Sequence, residues 1–233
     1  MTTLDSRNAI STSPRMSRAG YLFLIVGGVA FFASGPMHPS GSDEGDKSDQ
    51  LHSMLVDPAW YPAHLLGLLG FACVATGLIA LQRDPLLRDR LGRLLSLSVV
   101  VAVAGALGSV IHLFAATQAD EMEDGGTTPL LAAFTGVETL VNPAWGLMIA
   151  ALALAGGGSR TLGNRIVLPL GLLGGLAFAV ATATIAYVDS FDALFPVAGL
   201  AGLWLVAVAV IGLFRHTART ANEATDAPRE PRV

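Results

Sequence analysis

The chain has few charged residues, a single lysine and a single cysteine. Charged residues make up 14% of its 233 residues, whereas a soluble domain carries about a quarter. A lone cysteine, Cys73, excludes an intramolecular disulfide and a cysteine-based metal cluster. The chain also lacks a phosphate-binding loop, a nucleophile elbow and a nucleic-acid-binding pattern, so we expect no nucleic-acid partner.

Long apolar runs dominate what is present. Hydrophobic residues make up 52% of the chain and the mean hydropathy is +0.58, and a helix crosses a bilayer with about 20 apolar residues. We therefore predict an all-α integral membrane bundle of six transmembrane helices over residues 19–215, between disordered tails at 1–18 and 216–233. The six spans fall at about residues 20–37, 58–81, 94–117, 129–155, 166–188 and 193–214.

Two of these spans allow an alternative. Arginines before the first run and the small residues Ala33, Ser34 and Gly35 after its apolar part also resemble a cleaved signal peptide. Pro143 lies inside the fourth run. That run is either one kinked helix or an interfacial segment over 129–141 followed by a span from Asn142.

The charge distribution predicts the orientation. The two tails and the loops near residues 82–93 and 156–165 hold thirteen of the fourteen basic residues, and the other loops hold only Lys47 against twelve acidic residues. The positive-inside rule places the first set in the cytoplasm. We expect a multi-pass protein of a bacterial plasma membrane with both termini cytoplasmic, in which the lipid bilayer is the first partner.

Two short segments of similar sequence, which we call the echo segments, predict repeated helical hairpins. Residues 55–60 (LVDPAW) and 140–145 (LVNPAW) match at five of six positions. In each, the Asx residue is a candidate helix N-cap, the proline suits a first helical turn, and the tryptophan suits a membrane–water interface.

Four ionisable residues share a predicted depth in the outer leaflet. His38 follows the first span, His64 lies near the start of the second, His112 near the end of the third, and Glu138 near the start of the fourth. Histidine and carboxylate side chains are ligands for zinc and copper, so these residues predict a metal site. His52 lies in the same outer layer, and Met37 is a candidate soft ligand for copper.

The sequence is also compatible with two other functions. His64 and His112 on adjacent antiparallel helices are candidate axial ligands of a b-type haem in an electron-transfer protein, although haem propionates would find only Lys47 as a cation on that face. The third hypothesis is a non-catalytic accessory or scaffold subunit that packs against a partner membrane subunit or a second copy. The sequence names no reaction and does not decide whether the protein is an enzyme.

Overall fold

The structure, a computed structural model, describes residues 13–41, 45–188 and 190–226, and this part of the chain is helical with no strand. Its α-helices are α1 (Ser13–Met37), α2 (Lys47–Leu55), α3 (Trp60–Leu81), α4 (Pro85–Phe114), α5 (Ala119–Glu123), α6 (Pro129–Gly136), α7 (Asn142–Ser159), α8 (Leu168–Thr184) and α9 (Phe195–Asp226). Two short 3₁₀ helices, Ala115–Gln118 and Asp192–Leu194, precede α5 and α9.

Within the described residues, five helices are long and apolar enough to cross a membrane, over residues 18–37, 60–81, 85–123, 129–159 and 192–218. The all-α membrane architecture agrees with the sequence prediction. The predicted span over 166–188 is different, because α8 has 17 residues and is therefore only about 25 Å long at 1.5 Å per residue.

The apolar helices pack in a ring. Each of α1, α3, α4, α7, α8 and α9 packs against the next in that order, and α9 closes the ring on α1. Small residues allow close approach where α7 meets α8, since a Cβ atom added at Gly146 would lie 2.5 Å from the carbonyl oxygen of Gly175. Because α3 packs between α1 and α4 in this ring, the C-terminal ends of α1 and α4 lie beside the N-terminal end of α3.

Several helix boundaries differ from the prediction. The predicted loop over 82–93 is wrong, because α4 begins at Pro85, where the Asp84 side chain accepts a hydrogen bond from the Leu86 amide at 2.9 Å. Aspartate followed by proline is a strong helix start. The arginines that follow Pro85 in the predicted loop therefore lie on the first turns of α4. Asp46 and Asp49 likewise form a capping box that starts α2 inside a predicted loop.

The ends of the chain show a similar difference. α9 continues to Asp226, so the tail predicted to be disordered from residue 216 is helical over its first part, where no glycine or proline interrupts the sequence before Pro228. Residues 1–12 of the predicted N-terminal tail lie outside the described residues, and residues 13–18 belong to α1.

The fourth apolar run is helical without a break from Pro129 to Ser159 and contains a π-helical turn over Val137–Val141. Pro143 has no amide hydrogen to donate to the carbonyl of Thr139 four residues earlier, and the wide π turn accommodates this gap. The run is therefore continuous, as in the first of the two alternatives. The turn also carries Glu138.

The two echo segments do not share the predicted roles. Asp57 does accept a hydrogen bond from the Ala59 amide at 2.7 Å, as a capping residue would. Asn142 instead lies within the continuous helix and donates to Glu138. Trp60 and Trp145 are 1% and 0% exposed, so both indoles are buried inside the bundle and neither faces the lipid headgroups. The hairpin repeat stays a prediction.

Candidate metal centre

Three histidine side chains meet at one end of the ring, which we call the histidine end. His38 directly follows α1, His64 is the fifth residue of α3, and His112 lies in the last turn of α4. One ring nitrogen from each lies within 4.8 Å of those of the other two. The ring centroids are 4.7 Å apart for His38 and His64, and 4.4 Å for His64 and His112.

Each imidazole is held through Nδ1 by an oxygen acceptor. His64 Nδ1 lies 2.6 Å from the Trp60 carbonyl oxygen, and His38 Nδ1 lies 2.9 Å from that of Pro39. His112 Nδ1 contacts Oε1 of Glu138. A carbonyl oxygen accepts hydrogen bonds but does not donate them. An ionised carboxylate is likewise only an acceptor. Nδ1 therefore carries a hydrogen in His38 and His64, and the Glu138 carboxylate is the group that faces Nδ1 of His112.

A neutral imidazole whose Nδ1 donates in this way keeps Nε2 as a lone-pair donor. His64 Nε2 is buried and has no hydrogen-bond partner among the described residues. Desolvation by the surrounding protein, together with the neighbouring His112, lowers the pKa of His38, although His38 as a residue is exposed. A neutral imidazole with one nitrogen hydrogen-bonded and the other free is the form that binds a metal ion.

Glu138 positions His112 from the side opposite Nε2. The glutamate is 5% exposed, and its Oε1 also accepts a hydrogen bond from Nδ2 of Asn142 at 2.9 Å. The two donors offset part of the cost of burying the carboxylate. Glu138 was predicted as a direct ligand, but the cluster of ligand atoms comprises the three histidines, and the glutamate contacts one of them.

Trp60 forms one wall of the histidine cluster. Its ring stacks on His64 and His112 at centroid distances of 3.8 Å and 5.2 Å. Its Nε1–H donates to the carbonyl oxygen of Leu113 at 3.1 Å, which links the start of α3 to the end of α4. The indole therefore orients two of the three imidazoles and shields them from solvent.

The cluster opens into a cavity of about 870 Å³ that all six helices of the ring line. His38, His64, His112 and Glu138 line it at the histidine end. Phe31, Phe71 and Phe178 line it further into the bundle. A molecule in this cavity would touch both the imidazoles and an apolar surface.

Other residues that the sequence suggested do not join the cluster. His52 on α2 instead approaches Glu123 on α5, with 3.8 Å between Nε2 and Oε2. Met37 is 44% exposed and is not among the residues lining the cavity. Sequence reasoning missed Trp60 and Asn142 as site residues, although each lies four residues from a candidate on the same helix, the spacing that places side chains on one face.

In the structure the two candidate haem ligands are stacked on each other, and the b-type haem stays a prediction. Axial imidazoles stand on opposite faces of the porphyrin with a nitrogen of each directed at the iron. His64 and His112 are stacked, with 26° between their planes and 4.4 Å between their centroids. A macrocycle between the rings would require them to move apart.

Comparisons with protein-family models, with curated proteins and with solved structures found no match to this chain.

Proposed function

We propose that this membrane protein binds one transition-metal ion, zinc or copper, through Nε2 of His38, His64 and His112. The observation that carries the proposal is the shared state of the three rings. Each Nδ1 is held by an oxygen acceptor, while one ring nitrogen of each lies within 4.8 Å of the others. Outer-shell acceptors of this kind orient histidine ligands and increase their basicity in metal sites.

Three histidines leave one position of a tetrahedral ion open. With metal–nitrogen distances of about 2.0–2.1 Å, the three nitrogens would lie about 3.4 Å apart. The present separations are up to 4.8 Å, so the imidazoles would have to move closer together to bind one ion. A bound ion would supply a Lewis acid at the open position, while Glu138 and Asn142 hold His112 and Trp60 orients the rings. Imidazole ligands suit both zinc and copper.

Metal analysis of the detergent-purified protein tests the proposal. We expect about one zinc or copper ion per chain, and loss of that ion in His64→Ala and in His112→Ala. His52→Ala is the matched control, because His52 is also paired with a glutamate at the same end of the bundle but is outside the cluster. A protein without metal after reconstitution with zinc or copper would overturn the proposal and favour the accessory-subunit hypothesis.

We also propose that all six helices of the ring cross the cell membrane, with both termini in the cytoplasm. The position of α8 between α7 and α9 supports six crossings despite its length, and the thirteen basic residues support the orientation. Cysteine labelling in a Cys73→Ser background tests it. Glu123→Cys should react with an impermeant reagent added outside intact cells, and Arg90→Cys only after lysis. The reverse pattern would refute the orientation.

A further inference from the structure

The cavity has a polar end formed by the histidines and an apolar end formed by phenylalanines. Helix geometry gives the distance between these two ends. Phe31 lies on α1, seven residues before His38, which directly follows that helix, and Phe71 follows His64 by seven residues along α3. Seven residues of α-helix rise about 10 Å. On two antiparallel helices, therefore, a phenylalanine lies about two turns below a histidine of the cluster.

The phenylalanines form one aromatic floor. Phe31 lies 5.9 Å from Phe71 and 5.3 Å from Phe178, measured between ring centroids. Trp145 stacks on Phe31 at 4.9 Å and supports the floor from α7. The space between this floor and the imidazoles belongs to the same cavity of about 870 Å³.

We propose that the cavity takes an amphiphile whose polar head coordinates the metal and whose unbranched apolar tail extends to the phenylalanine floor. The inference rests on the proposed metal site and adds the substrate class. The helical rise of about 10 Å between histidine and phenylalanine matches about eight carbon–carbon bonds of an extended chain, because bonds of about 1.52 Å at tetrahedral angles advance about 1.25 Å each. Molecules of this class partition into a bilayer, and the apolar ring of helices lies within one.

Alkyl hydroxamates of increasing length are suitable probes, because the hydroxamate group binds metal ions and is constant along the series. The protein is reconstituted in lipid nanodiscs and loaded with Co²⁺ in place of the native ion, so that coordination changes its visible spectrum. Each methylene buried in the cavity should tighten binding by about fourfold. We expect this gain up to about eight carbons and no further gain beyond, where the tail meets the floor.

Gly67 allows the cavity to be shortened without disturbing the histidines. It lies on α3 between His64 and Phe71 and lines the cavity. A Cβ atom there would meet only the Ser34 side chain, at 3.8 Å and 3.9 Å, within ordinary contact distance. In Gly67→Leu we expect normal Co²⁺ binding and unchanged affinity for acetohydroxamate, but loss of the gain for the longer probes.

Gly92→Leu is the matched control. Gly92 is also a helical glycine, and an added Cβ would meet nothing within 4 Å, but it does not line the cavity. It should show the wild-type dependence on chain length.

The outcomes separate the two proposals. If Co²⁺ binds but affinity does not change with chain length, the inference is wrong and the metal site stands. If affinity rises without limit and equally in Gly67→Leu, the tails partition into lipid and the inference is again wrong. If Co²⁺, zinc and copper all fail to bind, the metal proposal itself is wrong.

Discussion

Replacing Glu138 by glutamine tests whether the buried carboxylate positions His112 for a metal ion. The substitution keeps the length and the acceptor oxygen of the side chain but removes its charge. In the structure one oxygen, Oε1, accepts from both His112 and Asn142. When a metal withdraws electron density through Nε2, the opposite N–H becomes a stronger donor, so the His112–Glu138 interaction strengthens on binding.

The expected loss follows from the strength of this hydrogen bond. Hydrogen bonds to charged groups contribute about 1.5–3 kcal/mol and neutral ones about 0.5–1.5 kcal/mol. The difference of about 1–1.5 kcal/mol corresponds to roughly a tenfold loss of metal affinity in Glu138→Gln. Glu138→Ala also removes the acceptor of the Asn142 amide, so we expect about a hundredfold loss, the upper end for outer-shell residues.

Competition with a chelator of known affinity, on detergent-purified protein, measures both values. Glu123→Gln is the control, because Glu123 is also close to a histidine, His52, but lies outside the cluster. It should bind metal as the wild type does. An affinity of Glu138→Gln within twofold of the wild type, or an equal loss in Glu123→Gln, would refute the positioning role.

Two further predictions concern the scaffold of the site. Trp60→Phe removes the hydrogen bond from the indole N–H to the Leu113 carbonyl oxygen, which contributes about 0.5–1.5 kcal/mol; thermal unfolding should show a lower Tm, and an unchanged Tm would contradict this role. Gly146→Val places a side chain against the Gly175 backbone and should abolish the folded monodisperse protein in size-exclusion chromatography. Gly158→Val is its control, because nothing lies within 4 Å of an added Cβ there, and equal behaviour of the two variants would show that close packing of α7 on α8 is not required.

Elements that depend on local sequence were predicted unevenly. The apolar runs gave the five long helices, because their composition is incompatible with water over lengths that span a bilayer. The start of α4 lies inside the predicted loop because the arginines there do not prevent a helix, and Asp84 followed by Pro85 is a strong helix start. The burial of Trp60 was missed because tryptophan is common both at membrane interfaces and in protein interiors.

The sequence by itself determined the membrane class and the common depth of His38, His64, His112 and Glu138, because hydropathy and position along a helix fix how far a residue lies from the membrane surface. Only the tertiary structure decided that these side chains face one another, since convergence depends on the rotation of each helix about its axis and on the ring order. It also decided that Glu138 contacts His112, through a π turn whose register no hydrophobic pattern encodes. Finally, it placed Phe31 and Phe71 beneath the histidines, in a cavity formed by helices distant in the chain.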